Sequence, residues 1–209
     1  MRILFQGDSI TDCGRRREQP SSLGSGYAMM VTGQMGLEYP AEHEYINKGI
    51  SGNRSVDLYA RIKADILNLK PDFMSILLGV NDVWHEYDGN NGVDADKFFR
   101  IYCMLIEEVK AELPDLQMMI MEPFCLRGSA TEAYYDEFRS EVEKRACMAK
   151  KVAEKYSLTF LPLQKDFDAL TDTMPASDLL SDGVHPTPIG HTLIKNAWIR
   201  TFKEMMQET

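Results

Sequence analysis

Short apolar runs alternate with longer stretches in which apolar residues recur every three or four positions. Arg2-Ile3-Leu4-Phe5-Gln6 reads as a buried strand, followed by a polar, Gly- and Arg-rich loop from Asp12 to Gly24. Helical spacing runs from Tyr27 to Leu37, and Glu44-Tyr45-Ile46-Asn47 reads as a short second strand. Val56, Leu58, Ile62, Ile66 and Leu69 predict one amphipathic helix over 56–69, stopped by Pro71. Phe73 to Leu78 is a third strand, Ala95 to Leu113 a helix ended by Pro114, and Leu116 to Met121 a fourth strand closed by Glu122-Pro123. A long charged helix over 132–156, a last strand over 158–161 and a helix over 188–206 complete the pattern, with Pro188 suited to a first turn. Asp88-Gly89-Asn90-Asn91-Gly92 reads as a flexible loop.

Five apolar strands separated by helices predict an α/β fold, a parallel sheet covered on both faces. With no repeat and no interdomain linker, one domain over residues 1–209 is expected. In such a sheet the loops after the strands open on one edge, where ligands bind. Those loops carry Ser9, then Asn47 to Asn53, then Gly79-Val80-Asn81-Asp82, then Glu122-Pro123-Phe124, and before the last helix Asp182-Gly183-Val184-His185-Pro186.

These residues are the parts an ester hydrolase needs. A serine hydroxyl is a weak nucleophile and requires a base, most often histidine, held in the right tautomer by a carboxylate. Ser9, His185 and Asp182 fit those roles, and Asp182 and His185 are close enough in sequence for one loop to present both. The oxyanion donors are expected to be the backbone N–H groups of Ser9 and Gly52 and the side-chain amide of Asn81. Ser9 taken alone would as readily cap a helix. His85 is the rival base, but it has no carboxylate at the same loop-bound spacing; His43 and His191 read as structural or surface residues.

Composition narrows the class. A net charge of −9 over 209 residues argues against nucleic acid or anionic membrane as a partner and fits action on neutral small molecules. No apolar leader opens the chain, and no apolar run approaches the roughly 20 residues that span a bilayer. Cys13, Cys103, Cys125 and Cys147 form no Cys-x-x-Cys pair, so reduced thiols and a cytoplasmic protein are expected. No cluster has metal-ligand spacing, and Gly24-Ser25-Gly26 lacks both the leading strand and the lysine of a phosphate loop. Neither a metal nor another cofactor is expected. Arg15-Arg16-Arg17 reads as a solvated charge run.

Four blocks in order carry a family resemblance: Gly7-Asp8-Ser9-Ile10-Thr11, Ser51-Gly52-Asn53, Gly79-Val80-Asn81-Asp82 and Asp182-Gly183-Val184-His185-Pro186. The chain resembles the SGNH, or GDSL, hydrolases. That resemblance implies a three-layer α/β/α sandwich with a flavodoxin-like, five-stranded parallel sheet. It also implies Ser9, His185 and Asp182 as triad, with Ser9, Gly52 and Asn81 around the oxyanion. The flanks, Asp12-Cys13-Gly14-Arg15, Leu23-Gly24-Ser25-Gly26-Tyr27, Asn47-Lys48-Gly49-Ile50 and Val83-Trp84, are similar to the intracellular xylan acetylesterase branch. The implied substrate is an acetylated sugar such as a xylo-oligosaccharide, and a homo-oligomer is left open. Departures are Ser181, where that branch often has a bulkier residue, and Arg54, where a smaller one is usual. Asp8, Arg54 and Trp84 are the candidate substrate contacts, Asp8 also fitting a role in holding the nucleophile loop, and Trp84 and Tyr87 either stacking on a sugar or packing locally. The alternatives are a lysophospholipase or thioesterase of the same family and a carbohydrate-binding protein without turnover.

Overall fold

The computed structural model describes residues 1–207. In chain order it contains β1 (Arg2–Gly7), α1 (Ser9–Asp12), α2 (Tyr27–Glu38), β2 (Glu44–Asn47), α3 (Ser55–Ala60), α4 (Ile62–Asp65) and β3 (Phe73–Leu77). There follow α5 (Val80–Gly89), α6 (Ala95–Glu112), β4 (Gln117–Met121), α7 (Tyr135–Tyr156), β5 (Thr159–Leu161), α8 (Gln164–Leu170), α9 (Ala176–Leu179) and α10 (Pro188–Gln207). The five strands form one parallel sheet in the order β2-β1-β3-β4-β5, the flavodoxin-like arrangement.

Successive strand residues point to opposite faces and both faces are covered, which is why the strands read as unbroken apolar runs. Ile3, Phe5, Phe73 and Met119 pack with Val31 of α2 and with Ile194, Trp198 and Phe202 of α10. Leu4, Met74, Ile76, Met118 and Ile120 pack on the other side with Leu58, Ile62, Phe98, Ile106 and Val152, from α3, α4, α6 and α7. The result is three layers. Among the described residues no helix is long and apolar enough to cross a membrane.

Two helices depart from the sequence pattern. The single helix expected over 56–69 is broken into α3, α4 and a 3-10 turn at Leu67–Leu69. The break falls at Arg61, which leaves helical geometry at φ −110 and ψ 11. Its guanidinium reaches the Lys48 and Gly7 carbonyls and the side chains of Asn53 and Gln6, tying α3 to the ends of β1 and β2. The segment expected as a flexible loop after β3 instead begins inside α5, which runs to Gly89 and stops at Asn90, a residue in left-handed geometry at φ 48. The loop beyond it is anchored: the Asn91 and Val93 N–H groups donate to the His85 and Asp82 carbonyls.

Candidate active site

β1 delivers the chain to a tight turn at the carboxyl edge of the sheet. Gly7 is needed there, because a Cβ would lie 2.6 Å from the Leu77 carbonyl oxygen of the neighbouring strand. Asp8 caps α1 by accepting the Ile10 N–H at 3.0 Å, and Cys13 closes it by donating its N–H to the Ser9 carbonyl at 2.8 Å. Ser9 is thereby fixed at the first position of a one-turn helix with its hydroxyl free to face the edge.

The partner arrives from the loop before α10. Ser9 Oγ lies 2.9 Å from His185 Nε2, and His185 Nδ1 lies 2.7 Å from Asp182 Oδ2. The other oxygen, Asp182 Oδ1, accepts the Val184 and His185 N–H groups at 2.9 and 2.8 Å. Burial opposes ionisation of Asp182, but the imidazole and the two amides outweigh it and hold the carboxyl down at about 2. Bonding to Asp182 raises His185 above the ordinary imidazole value, against the opposing effect of burial. The loop is stiffened by Ser181, whose N–H and hydroxyl both donate to the His185 carbonyl, and by the Leu126 and Ala130 N–H groups, which donate to the Gly183 and Asp182 carbonyls.

The remaining blocks are brought to the same edge. Gly52 sits at φ +82, a conformation that glycine adopts without strain, and its exposed face meets nothing within 4 Å. Asn81 lies in the first turn of α5, 6% exposed, and gives one amide proton to the Asn53 carbonyl at 3.2 Å. That bond joins the second block to the third. Buried Asp82 reinforces it by accepting the Ser55 N–H and hydroxyl. Asp12 joins the first block to the second: its Oδ2 accepts the Ser51 N–H at 2.9 Å and hydroxyl at 3.0 Å. Asp12, Ser55 and Asp82 therefore frame the site; Asp12 and Asp82 fall within the sequence blocks and their flanks without a role assigned, and Ser55 does not stand out in the sequence at all. The Arg15–Arg17 run is also partly structural, with Arg17 paired to Asp12 and Arg15 donating to the Gly49 carbonyl.

The candidate substrate contacts divide. Trp84 is half-buried, its ring centroid 5.7 Å from that of His185, and it rests edge-on against Phe138. Asp8 is only 1% exposed, its carboxyl beneath the turn, where it accepts the Ile10 N–H. Arg54 is turned inward as well: Nε and Nη2 fork onto Asp57, and Nη1 donates to the Asn91 carbonyl at 2.6 Å. Its donors clamp α3 to the loop after α5. Among the histidines, Ser9 is bonded to His185 and not to His85, while His191 is buried and His43 packs among Tyr39, Tyr45 and Phe202.

An alcohol, an imidazole and a carboxylate in series form a device for acyl transfer. Known proteins share the arrangement's sequence and shape. Residues 5–193 match the GDSL-like Lipase/Acylhydrolase family. The chain is 34% identical over 208 residues to an acetylxylan esterase of Geobacillus stearothermophilus, covering 95% of this chain and 92% of that one. The crystal structure of a catalytic serine-to-alanine mutant of Axe2, an acetylxylan esterase from that organism, matches with TM-score 0.86 at 34% identity, over 95% of this chain and 92% of Axe2. Two further catalytic mutants of Axe2 replace an aspartate and a histidine three positions apart, the spacing of Asp182 and His185. A GDSL lipase-like protein from Parabacteroides merdae matches with TM-score 0.88 at 36% identity, covering 95% of this chain and 94% of that one.

Proposed function

Because the chain belongs to the GDSL-like lipase/acylhydrolase family, we propose that Ser9, His185 and Asp182 are the nucleophile, base and orienting acid of a serine esterase that deacetylates xylo-oligosaccharides. The family makes the protein a carboxylic ester hydrolase. The observation that carries the assignment is the continuous relay from Ser9 Oγ through both nitrogens of His185 to Asp182, at 2.9 and 2.7 Å.

In the first step His185 Nε2 takes the Ser9 proton as Oγ attacks the acetyl carbonyl. Asp182, ionised at neutral pH, holds Nδ1–H and stabilises the imidazolium. The oxyanion of the tetrahedral intermediate is received by the Ser9 and Gly52 N–H groups and by the Asn81 amide proton not given to Asn53. His185 then gives its proton to the departing sugar oxygen as the ester C–O bond breaks, leaving acetyl-Ser9; it next takes a proton from the attacking water and returns it to Ser9 Oγ as acetate leaves. Trp84, beside His185, offers a ring face to the sugar, and Ser181, in the loop that carries the triad, leaves room for it. The whole of residues 1–209 serves as one hydrolase domain. The four unpaired cysteines support a reducing, cytoplasmic setting.

The acyl preference tests the substrate class. Acetate release from acetylated xylo-oligosaccharides is to be compared with hydrolysis of a series of acyl esters of increasing length. kcat/KM is expected to be highest for acetyl and to fall steeply beyond it. A preference for long acyl chains would replace the sugar esterase with a lysophospholipase or thioesterase.

A further inference from the structure

The nucleophile turn buries one carboxyl that the relay does not use. Asp8 precedes Ser9 directly and is 1% exposed. Its Oδ1 accepts the Ile10 N–H, while Oδ2 is buried with no hydrogen-bond partner among the described residues. Capping alone does not account for this group, since asparagine caps a helix as well as aspartate and carries no charge to bury. An unpartnered buried carboxylate oxygen is costly wherever it stands. Here it stands one residue from Ser9, whose hydroxyl lies 2.9 Å from His185, the one group in the site that becomes a cation during turnover.

We propose that Asp8 is a positioning residue that sets the basicity of His185, its carboxylate acting through space to favour the imidazolium formed when Ser9 gives up its proton. This rests on the reading of Ser9 and His185 as nucleophile and base. The titratable groups facing Asp8 are His185 from the loop before α10, Tyr27 from α2 and Asp82 from α5. Burial keeps the Tyr27 phenol neutral, well above its ordinary range. Asp82 is pushed up to about 7, first by its own burial, with Arg145 of α7 opposing and Asp8 adding to the rise. Asp8 is likewise pushed up to about 7 by burial, with the Ile10 amide and the His185 charge pulling the other way. Its charge therefore develops in the pH range in which a general base must be neutral, and each of the two groups favours the charged form of the other.

The test is the pH dependence of kcat/KM on an acetyl ester for the wild type and Asp8→Asn, which keeps a capping oxygen and removes the charge. His185 must be neutral to act as base, and an anionic neighbour raises the pH at which it becomes so. Without that anion the acid limb of the profile is expected to move to lower pH, by about half a unit or more. A purely structural role would change the height of the profile and leave the limb in place. An acid limb unmoved in folded Asp8→Asn overturns the proposal. Should that variant not fold, the His185 Hε1 resonance of the wild type answers by NMR: two titration steps are expected, one of them reporting Asp8, and a single step overturns the proposal. A serine-directed phosphonate that labels Ser9 while the limb stays put overturns this inference alone, whereas failure to label Ser9 in the folded wild type overturns the nucleophile reading and this inference with it.

Discussion

The two ends of α1 present nearly the same contact and opposite chemistry. At one end His185 Nε2 lies 2.9 Å from Ser9 Oγ; at the other His191 Nε2 lies 3.3 Å from Cys13 Sγ. The difference is behind the ring. His185 Nδ1 faces the Asp182 carboxylate, an acceptor, so it carries the proton and Nε2 keeps its lone pair for Ser9. His191 Nδ1 accepts the Tyr27 N–H at 3.1 Å, so the lone pair is used there and Nε2 can only donate to the sulfur. Burial then drives His191 down to about 4, the nearby His185 charge adding to the fall, while its counterpart is raised by Asp182. A histidine against a nucleophilic atom is thus a base only when the far nitrogen meets an acceptor.

Asp182→Asn attacks that distinction most strongly. The amide can offer an N–H to Nδ1, which puts His185 in the situation of His191. A loss of about 10⁴-fold in kcat is expected, with the protein folded as before. A loss under about tenfold would mean that the group behind the ring does not decide its role.

A smaller effect is expected from the other end. His191 is protonated in the unfolded chain near 6.5 but resists protonation in the folded one until about 4. The unfolded state therefore binds the proton first as pH falls, and stability present above pH 6.5 is lost on the way down to 4. That loss is up to about 3 kcal/mol. Asp8 and Asp82, raised to about 7, act in the opposite sense, losing stability as pH rises through the same window. They do so equally in a variant, and cancel in a difference. His191→Asn retains an acceptor for Tyr27 but does not titrate, so its stability gap from the wild type, measured by urea unfolding at pH 7 and pH 4.5, is expected to narrow at the lower pH. kcat at pH 7 is expected to change less than about threefold. A constant gap would show that His191 is not held neutral by burial.

What the sequence made legible follows from where each constraint lies. Strands buried on both faces leave apolar runs, and Asp182 with His185 declare themselves because a single loop here carries both. α5 was not legible. Gly79 gives it no side-chain cap, and much of what anchors its start, through Asn81 to Asn53 and Asp82 to Ser55, is remote in sequence. The break at Arg61 has the same origin, since its partners lie on β1 and the loops after β2. Arg54 flanks the second block and Asp8 lies within the first, which made both candidate substrate contacts, with Asp8 also fitting a role in holding the nucleophile loop. Sequence position fixes proximity, not direction: Arg54 turns to Asn91 and Asp57, while Asp8 holds the turn it caps, the second of the two roles it fitted.

The nature of the covalent intermediate tests the central claim most directly. During turnover of an acetyl ester, rapid acid quench followed by peptide mass spectrometry reads which side chain of the first loop holds the acyl group. One acetyl group on Ser9, absent in Ser9→Ala, is the expected result. An acetyl group on Cys13, or turnover that survives intact in Ser9→Ala, would contradict it.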